Sequence, residues 1–415
     1  MFDAIEEIFT TLKQNKLRAI MTGFSVAWGI FMLIVLLGSG KGLQNGMEFS
    51  FRGSSKNAIW IHPGETGETF EGLKKGRRIQ FTNEDYELLK EALRGISNIS
   101  GRMYIWGNAP LTYKNEYGIY SITGVMPAFK GIERMDLLQG RFINQIDINE
   151  YRKVIVLSKP IVDILFKEED PIGKYIKVGG VFFKVVGVFK DEQQGDSKKS
   201  FLPISTSQRV FNGANRIQNL AITTTSTSVE ENKMIEAQIK TLLARRHRFS
   251  ETDDKAIFTW NTLEEFTQAQ GVFGGIRLFI WIIGIMTIIA GIVGVSNIMI
   301  ILVKERTKEI GIRKAIGASP SSIIQLVLSE SLFITAMAGF FGMFMGMGLL
   351  YIVNVILTQA AEGSDMINYI FTNPSADFSV AITATVVLII AGLVAGFIPA
   401  RKASAIKPIE ALRDE

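Results

Sequence analysis

The chain has 415 residues, of which 47% are hydrophobic and 20% charged, and its mean hydropathy is +0.23. Because it contains no cysteine, a disulfide framework, a thiol nucleophile and a cysteine-based metal site are all excluded. The formal net charge of +5 would suit a nucleic-acid partner, but the Lys and Arg residues collect beside the hydrophobic segments. We therefore expect no nucleic-acid partner.

Four stretches lack Asp, Glu, Lys and Arg altogether, namely residues 19–40, 278–303, 331–361 and 379–400. Each exceeds the roughly 20 apolar residues that a helix needs to cross a bilayer. The sequence thus predicts an α-helical membrane protein with four transmembrane helices, and excludes both a purely soluble protein and a many-helix channel or carrier. The predicted divisions are an N-terminal cytoplasmic segment with the first span, a large extracytoplasmic domain, the second span, an inner loop, the third span, and the fourth span before a cytoplasmic tail: 1–40, 41–275, 276–303, 304–320, 321–357 and 379–415.

Basic residues flank the spans unequally, which predicts an orientation, since Lys and Arg near spans stay on the cytoplasmic side. The stretch before the first span, the 304–320 loop and the C-terminal tail are all basic, whereas 358–378 has no Lys or Arg. Both termini are therefore expected inside and the 41–275 domain outside. The first apolar run is longer than a signal-peptide core and lacks an Ala-x-Ala site, so we expect an uncleaved anchor.

The domain at 41–275 is expected to be α+β. One βαβ-like unit has a strand at 58–61 and a helix opening at Thr82, with Asp85 completing a capping-box pattern. A second has a strand at 217–223, a helix at 229–246 and a strand at 256–260. Between them, residues 111–202 are rich in β-branched and aromatic residues punctuated by glycine. This pattern predicts a β-rich subdomain inserted into an α/β one.

Neither a catalytic nor a metal-binding constellation is expected in this chain. His62 lies in a His-Pro-Gly turn and His247 in a basic cluster that suits a helix C-terminus. The acidic pairs, including Glu84 with Asp85, are interpreted as solvated or capping residues. No phosphate-binding loop of the Gly-x-x-x-x-Gly-Lys-Ser/Thr type occurs, so the chain is not expected to be an enzyme, to bind a cofactor or to hydrolyse ATP alone.

The 304–320 loop carries the most specific local pattern. Its first dozen residues favour a charged helix, Gly317 suits a left-handed stop, Ser319 can cap the next helix, and Pro320 fits its first position. This predicts a helix, a tight stop and a fresh helix. A site for docking a protein and an ordinary basic turn remain equally open on these grounds.

Several motifs resemble the MacB/FtsX-like family of ABC-transporter permeases, over nearly the whole chain. The inner-loop and C-terminal motifs are specific, and those in the outer domain are moderately so. They comprise Asn297-Ile-Met299, the run from Glu305 to Ala318, Glu330-Ser331, Pro399–Ala403 with Lys407–Arg413, Gly140-Arg141-Phe142, Asp170–Lys174 and Val186-Gly187-Val188.

The resemblance implies a homodimeric or heterodimeric permease in a bacterial inner membrane, paired with a cytoplasmic ABC ATPase that binds ATP and Mg²⁺. The residues expected to dock on that ATPase are Glu309, Ile310, Gly311, Arg313 and Lys314. MacB itself carries its ATPase fused at the N-terminus, whereas 18 residues precede the first span here. A separate partner chain is therefore expected to supply ATP hydrolysis. Family members transmit motion through stalks that extend the first two spans, here 41–55 and 262–277.

Few ionisable residues lie in the predicted spans, which speaks against a polar pathway through the bilayer. Glu330 is the exception. Two explanations for it stay open, namely a position at a helix start or snorkelling to the surface, and a functional role. Gly339, Gly342 and Gly346 have the small-residue spacing that is typical of closely packed helices. The packing could be at a dimer interface.

Three functions fit this architecture. The first is export of a drug, peptide or toxin from the periplasm, with an adaptor and an outer-membrane duct as further partners. The second is lipoprotein release, and the third is FtsX-like regulation of a cell-wall hydrolase or sensor kinase. The large inserted subdomain favours export over regulation. A receptor or scaffold without an ATPase is a further alternative, which four spans and a capped inner loop disfavour.

Overall fold

The computed structural model describes residues 16–51, 55–105, 109–190, 198–361, 371–374 and 378–406. The chain divides into two units, a helical unit of Met1–Met47 with Gly271–Glu415 and a large domain of Glu48–Gln270. The helices are α1 (Lys16–Ser50), α2 (Asn83–Ala92), α3 (Phe129–Ile132), α4 (Gln145–Asn149), α5 (Lys159–Leu165), α6 (Ile204–Val210), α7 (Val229–His247), α8 (Thr262–Glu305), α9 (Thr307–Ala315), α10 (Pro320–Ala361) and α11 (Phe378–Ser404).

Three helices are long and apolar enough to cross a membrane among the described residues, within Gly23–Ser50, Thr262–Glu305 and Pro320–Ala360. They contain the first three predicted spans. The fourth predicted span lies in α11, a helix of 27 residues, several of whose first side chains are outside the described set. Four spans and the orientation of the termini stay predictions. The helical extension of the second span is confirmed, since α8 begins at Thr262. That of the first span is confirmed as far as Ser50 of the predicted 41–55, of which 52–54 lie outside the described residues.

Glycines let the helices of the helical unit approach closely. A Cβ atom on Gly342 of α10 would lie 2.2 Å from the carbonyl oxygen of Ala27 in α1, and one on Gly346 would lie 3.1 Å from Ile34. Gly339 is buried on the same side of α10. These contacts confirm close packing at Gly342 and Gly346, and they lie within one chain. A dimer interface is therefore not needed to explain this glycine spacing.

The large domain is built on a twelve-stranded mixed sheet. Its strands, with the short β2 and β12 that pair separately, are β1 (Ala58–Pro63), β2 (Phe81–Thr82), β3 (Ile96–Tyr104), β4 (Leu111–Tyr113), β5 (Glu116–Gly118), β6 (Ser121–Val125), β7 (Asp136–Gly140), β8 (Val154–Ser158), β9 (Tyr175–Val178), β10 (Val181–Lys190), β11 (Lys199–Pro203), β12 (Arg216–Ile217), β13 (Asn219–Thr224) and β14 (Ile257–Asn261). The order is β14-β1-β13-β3-β6-β11-β8-β10-β9-β4-β5, and β7 pairs with β10.

The predicted helices of the large domain have the predicted starts. Thr82 caps α2 in a capping box with Asp85, and the Ser228 side chain accepts a hydrogen bond from the Glu231 amide at the start of α7. Along α7, Ile235, Ile239 and Leu243 recur every four residues, so they share one face and are buried in the core of the α/β part. The capping box and the α7 helix are thereby confirmed.

The 111–202 region has a core of its own but not a separate sheet. Leu111, Ile155 and Phe183 are among its fully buried residues. The sheet nevertheless runs through both parts, because β3 of the α/β part pairs with β6, and β6 with β11. The β-rich inserted subdomain stays a prediction, and the continuous sheet is a feature that the sequence did not indicate. Edge strands can pair across a boundary that composition alone suggests, since backbone hydrogen bonding takes no account of side-chain type.

Candidate functional site

The 304–320 segment has the backbone that its sequence predicts. Helix α8 ends at Glu305, α9 occupies Thr307–Ala315, and α10 begins at Pro320. Gly317 has φ +108°, a conformation that glycine adopts without a Cβ penalty. The Ser319 hydroxyl oxygen accepts a hydrogen bond from the Ser322 amide at 3.3 Å. The predicted sequence of helix, stop and capped helix is confirmed.

Lys314 ties this segment to the end of α11. Its Nζ donates to the carbonyl oxygens of Ser404 at 2.8 Å and Ile406 at 2.7 Å. Those carbonyls lie at and just beyond the C-terminus of α11, where the helix dipole favours a cation. The Lys314 ammonium is therefore engaged within the chain, and its part in docking stays a prediction.

The other predicted docking residues divide between the core and the surface. Ile310 is 5% exposed and packs in the core of the helical unit with Val303 and Ile323, and Gly311 is buried beside it. Glu309 and Arg313 lie on the accessible side, where Arg313 Nη2 donates to Glu309 Oε1 at 2.9 Å. Ile310 and Gly311 thus fix the position of α9, whereas Glu309 and Arg313 can meet another molecule.

Two isoleucines on the accessible side were missed by the sequence reasoning. Ile312 is 44% exposed and Ile316 is 81% exposed. Ile312 lies in α9, about 200° around the helix from Ile310, and Ile316, the residue that caps its C-terminus, lies four positions further on, at about 240°. The i, i+4 spacing opposite a buried isoleucine was the available signal. An exposed apolar pair flanked by charged residues is typical of a surface that another protein covers.

Glu330 is buried beside the same segment. It lies 10 residues after the start of α10 and is only 4% exposed, so it is neither at a helix start nor snorkelling to the surface. Its Oε2 accepts from Nη1 of Arg306 at 3.3 Å, and Arg306 also reaches Glu309 at 3.5 Å. The pair joins the residue after α8 to the interior of α10.

A second buried charged cluster lies in the large domain. Asp85 is 0% exposed, and its Oδ1 is 2.7 Å from Arg246 Nε and 3.0 Å from His247 Nε2. Burial raises the pKa of Asp85, but the hydrogen bond and charge of His247, the Thr82 amide and the Arg246 charge together hold it below its usual value. The basic end of α7 thus pairs with the capping residue of α2.

Three long apolar helices, with an α/β domain between the first and second of them along the chain, define a helical membrane protein. Two family models match, the MacB-like periplasmic core domain over residues 19–242 and the FtsX-like permease C-terminal domain over residues 281–408. The chain belongs to the MacB/FtsX-like family of ABC-transporter permeases.

Curated relatives share about a quarter of the aligned residues. The macrolide export ATP-binding/permease protein MacB of Bdellovibrio bacteriovorus is 26% identical over 100% of this chain and 62% of its own length. The protein of the same name from Wolinella succinogenes is 28% identical over 100% of this chain and 61% of its own length. The chain therefore spans about three fifths of the length of these relatives.

Solved structures with partial similarity cover about half of the chain. The periplasmic region of MacB from Actinobacillus actinomycetemcomitans has a TM-score of 0.43 and 22% identity, over 53% of this chain and 95% of that one. The extracellular domain of the noncanonic ABC-type transporter YknZ from Gram-positive bacteria has a TM-score of 0.42 and 21% identity, over 49% of this chain and 100% of that one.

Proposed function

We propose that this chain is the permease subunit of an ABC system, in which a separate cytoplasmic ATPase drives conformational change of the large domain to export a periplasmic substrate. The observation that carries the proposal is the 304–320 segment, a short helix held firmly on one side and exposed on the other. Ile310 and Lys314 hold it, and Ile312 and Ile316 face outward. A segment that transmits force needs both properties.

Helix α8 links the 304–320 segment to the large domain along the chain. Helix α8 is continuous over 44 residues, from Thr262 at the end of the large domain to Glu305 at the start of the segment. The Arg306–Glu330 pair joins this end of α8 to α10. Because a continuous helix moves largely as one body, displacement of the segment is transmitted along α8. The proposed mechanism is therefore mechanotransmission, with no pathway for the substrate through the bilayer.

The remaining parts of the proposal are the membrane and the partners. We place the chain in a bacterial inner membrane with both termini inside, four spans, and the large domain in the periplasm or exterior. A second permease chain, identical or related, completes the transporter, and ATP and Mg²⁺ are bound by the ATPase alone. The names of the curated relatives favour export over lipoprotein release or hydrolase regulation, and an adaptor with an outer-membrane duct fits that function.

Co-purification tests the ATPase contact directly. The tagged full chain is isolated from solubilised membranes, and associated ATPase protein and ATP hydrolysis are measured. Replacing the exposed pair, Ile312→Asp with Ile316→Asp, is expected to reduce the recovered ATPase at least about tenfold, because two apolar contacts are lost and two charges are placed in the interface. Ile119→Asp is the matched control, since Ile119 is 65% exposed in the large domain.

Charge reversal at Arg313 and Lys314 is a second test of coupling. Arg313→Glu alone reverses a charge on the accessible side of α9. We expect ATP turnover to become insensitive to the permease while the chain stays folded. Lys314→Glu also breaks the contacts with Ser404 and Ile406, so its effect includes local destabilisation. Unchanged coupling in the Arg313→Glu variant together with unchanged recovery in the isoleucine variant would contradict the proposal. A receptor or scaffold would then become the leading function.

A further inference from the structure

A cavity of about 620 Å³ opens in the large domain, where the two cores of that domain meet. Phe211 lines it, and its ring packs against both the α/β core and the core of the 111–202 region. The ring also stacks on Phe183, with 6.3 Å between centroids. Cavities of this size hold drug-sized ligands and occur preferentially where two folding units join.

The lining combines cationic, amide and apolar groups. Two guanidinium groups belong to Arg78 and Arg216, and the described residues that line the cavity include no acidic side chain. Among the described residues, no carboxylate lies within ion-pair distance of either arginine. A concave surface lined by one sign of charge concentrates the electrostatic potential, which here attracts an anion. Among the described residues, Met103, Ile105, Ala109 and Phe211 contribute apolar side chains to the walls.

Arg216 is held in place before any ligand arrives. Its Nη2 donates to the Asn212 carbonyl oxygen at 2.8 Å, and its Nε donates to the Gly213 carbonyl oxygen at 3.1 Å. The hydrogen bonds described for this side chain do not use Nη1. Fixing a guanidinium on backbone carbonyls lowers the entropy lost on binding. Arg78, by contrast, is exposed and makes no side-chain hydrogen bond or ion pair among the described residues.

The turn that holds Arg216 is strained. Asn212, Ala214 and Asn215 have φ of 52°, 39° and 63°, in the left-handed region that side chains disfavour. Gly213 between them approaches Met103 so closely that a Cβ atom would lie 2.5 Å from the thioether. Strain of this kind persists where the surrounding structure enforces it, and it clusters at ligand clamps. The turn presents Arg216 and Phe211 to the same cavity.

We propose that this cavity binds an anionic amphiphile. Its carboxylate or phosphate group is held by Arg78 and Arg216, whose planar guanidinium groups match such oxygens. Its aliphatic or aromatic body lies against Met103 and Phe211, which remove it from water. Cationic molecules are rejected by the same two charges. The inference goes beyond the proposed function, because binding needs neither the ATPase nor a transport step.

Photolabelling of the full chain tests the site. The protein is placed in nanodiscs of zwitterionic lipid and labelled with dodecanoate that carries a diazirine on its chain, and the labelled peptides are identified by mass spectrometry. We expect labelling of peptides that contain Met103 or Phe211. Unlabelled dodecanoate and dodecyl phosphate should both compete, and their ratio distinguishes a carboxylate from a phosphate headgroup. Dodecyltrimethylammonium at equal concentration should leave the label in place.

Two variants separate the charge from the apolar walls. Arg78→Gln should weaken competition by dodecanoate about tenfold, because one charge-assisted hydrogen bond is lost without disturbing the fold. Ala109→Trp should abolish labelling by filling the cavity. Arg152→Gln is the matched control, since Arg152 is an exposed arginine outside the cavity whose charge pairs with Glu150.

Three outcomes would overturn the inference. Equal competition by the cationic analogue would remove the charge argument. Unchanged labelling in both Arg78→Gln and Ala109→Trp would place the probe elsewhere. Displacement of the probe by inorganic phosphate as effectively as by dodecanoate would show an anion site to which the apolar walls contribute nothing. None of these results depends on whether an ATPase co-purifies, so the two proposals can fail separately.

Discussion

Two buried carboxylates, one in each unit of the chain, are compensated for their lost hydration by different sets of partners. Asp85 in the large domain is 0% exposed and Glu330 in the helical unit is 4% exposed. Each is paired with an arginine, at 2.7 Å from Arg246 and 3.3 Å from Arg306 respectively. A buried carboxylate costs several kcal/mol of desolvation free energy, which only good geometry and further hydrogen bonds offset.

The two carboxylates differ in how far their described partners lie from them along the sequence. Asp85 occupies the third position of α2, so its bond to the Thr82 amide at 2.8 Å is built by the helix start itself. Glu330 lies in the interior of α10, and its described ion-pair partner comes from a residue 24 positions earlier, beyond the end of α8. Asp85 therefore combines a local bond with distant ones, whereas the contact described for Glu330 is a distant one.

Removing the Asp85 carboxylate is expected to have the largest effect on stability. Asp85→Ala breaks the capping box and leaves Arg246 and His247 without this partner, which should lower the free energy of unfolding by about 3–5 kcal/mol. The measurement is urea unfolding of the full chain in detergent, followed by circular dichroism of the sheet. Hydrogen exchange of α2 and α7 amides should report the same loss.

Asp254→Ala is the control for this variant. Asp254 also pairs with a basic residue of α7, Lys240, but its side chain is 91% exposed. Water screens such an exposed pair, so little change in stability is expected. Asp85→Asn should lie between the two, because an amide oxygen still accepts the Thr82 amide. Equal losses for Asp85→Ala and Asp254→Ala would show that burial does not distinguish these carboxylates.

The Glu330 pair is expected to be the second largest contributor. Glu330→Gln and Arg306→Gln, alone and combined, form a double-mutant cycle for which we expect a coupling free energy of about 1–3 kcal/mol. The loss should be smaller than for Asp85, because Arg306 keeps its contact with Glu309. Thermal unfolding in detergent gives the stability, and ATPase recovery tests whether the pair positions the 304–320 segment. Additive effects of the two substitutions would contradict a direct pair.

The same contrast explains how far the sequence could be interpreted. Thr82 with Asp85, and Gly317 with Ser319 and Pro320, follow from hydrogen bonds within a few residues, and both patterns were predicted correctly. The apolar runs that became α1, α8 and α10 were equally visible, because their length and lack of charge are local properties. What these signals share is that no distant residue is needed to interpret them.

Contacts between distant segments could not be predicted. The family resemblance placed Lys314 among the docking residues, and nothing in the sequence indicated its carbonyl partners 90 and 92 positions away. For Glu330 the sequence left a snorkelling or helix-start position and a functional role open, and it did not indicate the contact with Arg306. The pairing of β3 with β6 was also invisible, since it depends on backbone edges and not on composition. These partners are chosen by the packing of the folded chain.

The third expected effect is a pH dependence from Asp85. Because the folded protein holds the pKa of Asp85 below its ordinary value of about 3.9, the unfolded chain binds the proton more readily. The stabilisation is therefore fully present above that ordinary value and is lost as the pH falls towards the folded pKa. We expect the stability difference between the wild type and Asp85→Asn to narrow below about pH 4. A difference that widened with acid would reverse the sign of the shift.

The smallest expected effect belongs to the exposed pair on α9. Arg313 Nη2 lies 2.9 Å from Glu309 Oε1, closer than Arg306 lies to Glu330, but the side chains are 35% and 45% exposed. Water screens the charges and already solvates both groups, so Glu309→Gln should cost only about 0.3–0.5 kcal/mol in thermal unfolding. If Glu309→Gln proved as costly as Glu330→Gln, distance and not burial would decide the strength of these pairs. A small loss with unchanged ATPase recovery would assign the docking contact to Ile312 and Ile316 instead.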